Sequence, residues 1–277
     1  MKRKLLLNSF AGAANTIVNI GMMAATVPVF IDRLGLESYG IFALISLVSI
    51  INVIGSFGFS TSLIKYLAEQ GRCRESDSDI QVTLVFLIVL SVLLTASAIL
   101  LEPFILTGVL GLSAVQYTDD VASCFRYLVA ANIFNLVMQT SFAVFDSLQK
   151  VYVSSVIQFG FNVTSRGGML LVLLSAPSLS GMGFVYLIMS IGTAVVSVVA
   201  VFSVWGNFVT RIPWSGVTAA LRKHATYSAT VYVTTLFGLL YEVMTKIVVN
   251  RFIGISEVAI FDIAVRIKNL FWSIGER

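Results

Sequence analysis

Charge is scarce in this chain. Asp, Glu, Lys and Arg make up 12% of its 277 residues, against about 25% in soluble domains, while 57% are hydrophobic and the mean hydropathy is +0.93. So few charged side chains cannot clothe a water-soluble globule. Cysteine is limited to Cys73 and Cys124, which excludes a disulfide framework and C-x-x-C redox or metal spacing. The single histidine, His224, stands in a basic stretch without ligand partners and reads as an interfacial residue at the start of a span. The four prolines, Pro28, Pro103, Pro177 and Pro213, sit at the ends of apolar runs or between them. Gly-rich phosphate loops, a nucleophile elbow and H-E-x-x-H are missing too. The expectation is a non-enzyme with no cofactor and no metal.

What the chain has in abundance is long apolar runs. Eight are near the roughly 20 residues that cross a bilayer, at about 8–31, 40–64, 80–101, 121–145, 152–175, 182–205, 225–249 and 257–275. Barrel strands need only about 10 alternating residues, so the reading is an all-α polytopic membrane protein with about eight transmembrane helices. Met1-Lys2-Arg3-Lys4 imitates a signal peptide, but the run behind it continues to Ile31, too long for cleavage, and reads as an uncleaved first span. With the N-terminus cytoplasmic, twelve Lys and Arg fall on the cytoplasmic side and only Arg33 and Arg251 on the other, a positive-inside bias. Basic loops thus account for the net charge of +4 without a nucleic-acid partner. Cys73 and Cys124 fall near opposite membrane faces. Residues 65–79 are expected to begin as an interfacial helix, and 102–120 to hold a short helix outside.

An internal similarity suggests a second lobe. Gly35-Leu36-Glu37-Ser38-Tyr39-Gly40-Ile41-Phe42 opens the second span, and Gly254-Ile255-Ser256-Glu257-Val258-Ala259-Ile260-Phe261 opens the eighth. Arginines stand shortly upstream, Arg33 and Arg251. Six spans separate the copies, so both keep one orientation, as in parallel-repeat transporters with a midplane site. The expected organisation is a six-helix lobe (1–206), a cytoplasmic linker (207–224) and the first two helices of an incomplete second lobe (225–277). The chain is expected to be truncated or half of a split transporter.

Polar residues inside the spans are the site candidates. Gln158, Asn162, Ser165 and Arg166 share a helical face at about 100° per residue, and an unpaired guanidinium in hydrocarbon costs at least about 3 kcal/mol. Asn8, Gly12, Asn15 and Asn19 line one face of the first span, and Asn132, Asn135 and Gln139 one face of the fourth. Each stripe reads as helix–helix glue or as the wall of a wet cavity; three together, one carrying Arg166, favour the cavity. Glu242 with Lys246 and Asp262 with Arg266 are two i,i+4 pairs in favoured orientation, either structural bridges or members of a coupling relay. Arg126 stands near the outer end of its span and can snorkel, and Asp146 reads as a solvated boundary residue.

Arg33–Phe42, Gly55-Ser56-Phe57-Gly58-Phe59 and Lys65-Tyr66-Leu67-Ala68-Glu69 resemble polysaccharide-biosynthesis membrane proteins. These are the lipid-linked oligosaccharide (O-antigen type) flippases of the multidrug/oligosaccharidyl-lipid/polysaccharide exporter superfamily. The resemblance covers essentially the whole chain, although the family has more spans than appear here. It implies two six-helix bundles around a central cavity, in a bacterial cytoplasmic (inner) membrane, moving an undecaprenyl-pyrophosphate-linked oligosaccharide by alternating access. Membrane lipids, the lipid-linked glycan and polysaccharide assembly proteins are the partners implied. Arginine suits a pyrophosphate through bidentate donation, and Asn and Gln suit sugar hydroxyls. The alternatives are a cation-coupled multidrug or toxin extruder, for which Glu242 is the available acid, and a non-transporting membrane scaffold fragment. A membrane glycosyltransferase would need a larger outer loop than 102–120.

Overall fold

The computed structural model describes residues 2–49, 52, 56, 58–209 and 214–275; for 2–17, 19, 214–215, 230–231, 233–239 and 270–275 it describes the backbone only. The described chain is helical and contains no strand. Eight long or medium helices organise it: α1 (Lys2–Ile45), α2 (Phe59–Gln70), α3 (Arg74–Leu100), α4 (Asp119–Ser147), α5 (Val151–Ser175), α6 (Leu179–Val204), α7 (Trp214–Phe252) and α8 (Ile255–Gly275). Among the described residues, α3, α4, α5 and α6 are long and apolar enough to cross a membrane. In hydrocarbon every backbone N–H and C=O must be satisfied within the chain, and continuous helices do that. The fold is an all-α polytopic membrane protein.

The first two expected spans do not separate as expected. Helix α1 runs from Lys2 to Ile45 with Pro28 inside it, and Gly35 alone leaves helical geometry, at φ 84° and ψ 163°. A side chain would be strained at that φ, so the chain bends there rather than opening a loop. Pro28 therefore lies within a helix, not at a span end. The second expected span, 40–64, is not one helix either: α1 stops at Ile45, a tight turn covers Ser46–Ser49, and α2 starts after Gly58, whose φ is 69°. Serine and glycine at this join favour turns over helix continuation.

Other boundaries shift for local reasons. Helix α2 carries through Lys65 to Gln70, so only 71–73 remain non-helical before α3. A single turn of wide, π-type helix occupies Phe104–Val109, the short helix expected in the outer segment. The Thr118 hydroxyl caps α4 by accepting from Val121 N–H, and the Ser178 hydroxyl caps α6 by accepting from Gly181 N–H. Asp120 reinforces that second start, accepting from Leu179 N–H at 2.8 Å and Ser180 N–H at 3.0 Å. Helix α7 begins at Trp214, so most of the expected 207–224 linker forms its first turns.

Packing places α4 at the centre, against α6, α3 and α2, while α1 packs on α5 and α8. Two apolar clusters result. The larger includes Phe30, Leu44, Leu106, Phe125, Leu173 and Val258; the smaller includes Leu63, Ile80, Phe145 and Trp205. Helix α7 is attached at both ends. Near its start, Lys223 Nζ donates to Asp79 at 2.7 Å and Glu75 at 3.3 Å. His224 is fully buried beside Ser62, 2.7 Å from its Nδ1, and Asp79, 3.5 Å from its Nε2. It is thus buried inside a helix rather than standing in a loop, because α7 turns it onto α2 and α3. Near the far end of α7, Asn250 Nδ2 donates to the Leu110 carbonyl at 2.7 Å and the Gly111 carbonyl at 3.3 Å.

The two similar octapeptides meet. A Cβ on Gly40 would lie 2.2 Å from the Ile255 carbonyl oxygen, so glycine is what permits this approach of α1 and α8. Gly254, the counterpart of Gly35, has φ 146° and stands where α7 gives way to α8. We call this side of the molecule the kink end.

Candidate functional site

A cavity of about 400 Å³ lies among α1, α4, α5, α6 and α8. Its polar lining includes Thr26, Tyr39, Asn132, Asn162, Arg166, Tyr186 and Arg266. Helix α5 contributes Asn162, Ser165 and Arg166 at i, i+3 and i+4, the spacing that puts side chains on one face. Arg166 is half-buried, and among the described residues no carboxylate pairs with it. It feels the charge of Arg266 instead, along with the phenols of Tyr186 and Tyr39. Two guanidinium groups, on α5 and α8, line this cavity, and no Asp or Glu does among the described residues.

Hydroxyls along the wall are turned onto their own helices. Ser165 Oγ donates to the Phe161 carbonyl at 2.5 Å, Thr26 Oγ1 to Met22 at 2.6 Å and Ser46 Oγ to Phe42 at 2.7 Å. These bonds satisfy the hydroxyl protons and leave oxygen lone pairs as acceptors. Phe30 and Tyr39 meet edge to face at 5.2 Å, and Phe161 and Tyr186 do so at 5.5 Å. The site is therefore cationic and partly aromatic.

The candidates named from the sequence divide into groups. Asn162, Ser165, Arg166 and Asn132 line the cavity. Asn132 also takes part in helix packing, accepting from Asn52 Nδ2 at 2.6 Å and donating to the Val48 carbonyl at 3.4 Å. Asn135 is buried behind the wall and donates to the Tyr186 hydroxyl at 3.3 Å. Gln158 is exposed, two turns along α5 from Arg166, and is not among the cavity residues; nor is Gln139. The side chains of Asn8, Asn15 and Asn19 lie outside the described residues.

The acidic and basic residues of α7 and α8 form one network. Lys246 Nζ donates to Glu242 at 2.8 Å and to Asp262 at 2.8 Å, and Arg266 Nε donates to the other oxygen of Asp262 at 2.5 Å. Tyr39 completes it from α1, its hydroxyl donating to Asp262 Oδ2 at 2.9 Å. Asp262 is buried, and three donors from three helices satisfy its charge. A smaller cavity of about 210 Å³ lies beside this network and shares Ser46, Ser49 and Arg266 with the larger one. Sequence spacing identified Arg266 only as half of a pair. Its place on the cavity wall, like that of Tyr39 and Tyr186, depends on how α8, α1 and α6 pack.

Arg126 forms a two-point contact rather than simply reaching toward water: Nε and Nη2 donate to the buried Glu102 carboxylate at 2.6 and 2.9 Å. Tyr117 adds a third donor at 3.0 Å. Asp146 is half-buried and accepts from Ser154 at 2.9 Å.

Comparison with known proteins adds the family. A model of the polysaccharide biosynthesis protein family matches residues 5–274. The chain belongs to that family. No curated protein matches it. A solved structure, "protein A", is similar with a TM-score of 0.70 at 17% identity, over 96% of this chain. At that identity the likeness concerns the fold alone. The chain spans 60% of the length of that solved structure. For a member of the polysaccharide biosynthesis family, the cavity with its two arginines is the feature that calls for a functional account.

Proposed function

We propose that this protein takes part in moving a lipid-linked oligosaccharide across a bacterial cytoplasmic membrane, with the anionic linkage of that substrate held at Arg166. One observation carries the reading: the cavity between α5 and α8 presents two guanidinium groups and no carboxylate among its described lining residues. A diphosphate matches that chemistry, because a planar guanidinium donates to phosphate oxygens in pairs. The polar wall suits sugar hydroxyls, and a polyprenyl chain can remain in lipid beside exposed apolar helices. The basic residues flanking the spans favour a cytoplasmic N-terminus. Alternating access would belong to the whole transporter, with α7 and α8 opening its second lobe. A cation-coupled extruder needs an available acid, and Glu242 is already bonded to Lys246.

The test is glycan export by the complete transporter. Arg166→Ala abolishes export while membrane insertion and expression persist, and Arg166→Lys restores part of it. Normal export by a well-expressed Arg166→Ala protein overturns the reading.

A further inference from the structure

Away from the kink end, α2 and α7 carry a second cationic surface. A groove of about 670 Å³ is lined by Tyr66 of α2 and by Thr218, Ala219, Arg222, Lys223 and Thr226 of α7. None of these residues lines the central cavity. Lys223 is already held by Asp79 and Glu75. Arg222 is exposed, and its guanidinium has no partner among the described residues. Lys65 Nζ stands 4.2 Å from the Tyr227 ring centroid and 5.2 Å from that of Tyr66, and no described carboxylate pairs with it either. Lys223 Nζ approaches the same Tyr66 ring at 4.5 Å. Two cations without carboxylate partners and two tyrosines thus share one margin of the molecule.

The depth of this groove follows from helix length. A bilayer with its headgroups is roughly 40–45 Å thick, which takes up about 27–30 helical residues. Counted along α7 from Asn250 at the kink end, that distance ends at about 220–223, in the groove and at the headgroup level of the other leaflet. Met244 stands about five turns beyond Thr226 on the same face of α7 and is exposed, so the face that lines the groove continues toward lipid. We propose that the groove binds the phosphate of an anionic phospholipid from the leaflet facing the α2–α3 turn, with Arg222 as its principal donor and Lys65 adding charge. A guanidinium is weakly hydrated and donates to phosphate oxygens in pairs, and basic side chains at this level attract anionic lipid. Tyr66 and Tyr227 suit the same depth, where an apolar ring meets lipid and its hydroxyl meets water. A free phosphate gains only the cationic contacts, whereas a phospholipid also lays its acyl chains along α7.

The probe is phosphatidylglycerol, with phosphatidylcholine of the same acyl chains as the reference without net charge. The full chain in detergent micelles is titrated with each, and retained lipid is counted by native mass spectrometry. The parent retains phosphatidylglycerol in preference to phosphatidylcholine. Arg222→Ala weakens that retention about fivefold, the share of one basic residue near an anionic headgroup, and Arg222→Lys recovers part of it. Arg251→Ala removes one exposed positive charge at the kink end and retains lipid as the parent does. Equal retention of the two lipids by the parent overturns the site. So does an Arg222→Ala protein that retains phosphatidylglycerol as well as the parent or the Arg251→Ala protein. Displacement of the lipid by inorganic pyrophosphate at matched ionic strength also overturns it, because the site then takes free phosphate. Each of these failures leaves the export reading untouched, since Arg166 and Arg222 line different cavities.

Discussion

Lys246 and Asp262 stand on different helices, 2.8 Å apart, and their bond fuses two ion pairs that sequence spacing presents as separate. Each i,i+4 pair alone would be a local surface-type contact of about 0.3–0.5 kcal/mol. Joined around a buried carboxylate, they form a unit whose members depend on one another. Removing one partner leaves charge buried without balance.

Lys246→Met therefore destabilises the protein by about 3 kcal/mol, the lower end for a broken buried pair, since Tyr39 and Arg266 still serve Asp262. Adding Glu242→Gln to Lys246→Met recovers part of that loss, because Glu242 is the carboxylate that loses its Lys246 partner. Denaturant titration of both variants in detergent micelles measures it. Equal stability of the parent and Lys246→Met would show that the network contributes nothing.

Gly40→Ala costs about 1–3 kcal/mol, because its methyl group would collide with the Ile255 backbone rather than with a movable side chain. Gly21→Ala is the contrast: no atom lies within 4 Å of its added Cβ, and helix propensity gives up to about 1 kcal/mol in favour of Ala. Thermal midpoints of the two variants should move in opposite directions.

The two cysteines differ in reactivity. Cys73 is exposed and Cys124 buried. The hydrogen bond between the Cys73 thiol and the Ser76 hydroxyl, 3.3 Å apart, is the main reason the Cys73 thiol ionises below its ordinary range. Maleimide labelling of the folded protein goes to Cys73, and the rate rises with pH through a midpoint below that of a free thiol. Ser76→Ala moves the midpoint to higher pH. A membrane-impermeant maleimide also tests orientation, because it should reach Cys73 only from the side that the N-terminus occupies.

Arg126→Met leaves the buried Glu102 with Tyr117 as its remaining described donor and lowers stability, because a buried carboxylate is then under-satisfied. Glu102→Gln in the same background restores part of it. Unfolding midpoints of the single and double variants decide the matter.

The helical class was legible because apolar runs of membrane length are a composition signal that tertiary packing does not alter. The face of α5 was legible for the same reason: Asn162, Ser165 and Arg166 obey a local period, and they do line one cavity. Gln158 obeys that period too but lies beyond the cavity, since periodicity fixes a direction around the axis and says nothing of how far the cavity extends along it. Arg266 and Tyr39 were out of reach, because their shared surroundings arise from segments more than two hundred positions apart in the chain. The burial of His224 was missed for a related reason. Its neighbours Arg222 and Lys223 suggested water, while a helix start earlier than expected turned it onto Ser62 and Asp79.

Helix α7 has 39 residues, which at about 1.5 Å each makes a rod of roughly 58 Å. The hydrocarbon layer is only about 30 Å thick. Such a rod reaches past the lipid, and it is bolted to α3 by Lys223 at one extremity and to the 110–111 carbonyls by Asn250 at the other. It therefore behaves as a beam with two supports. Shifting either support would tilt the whole length.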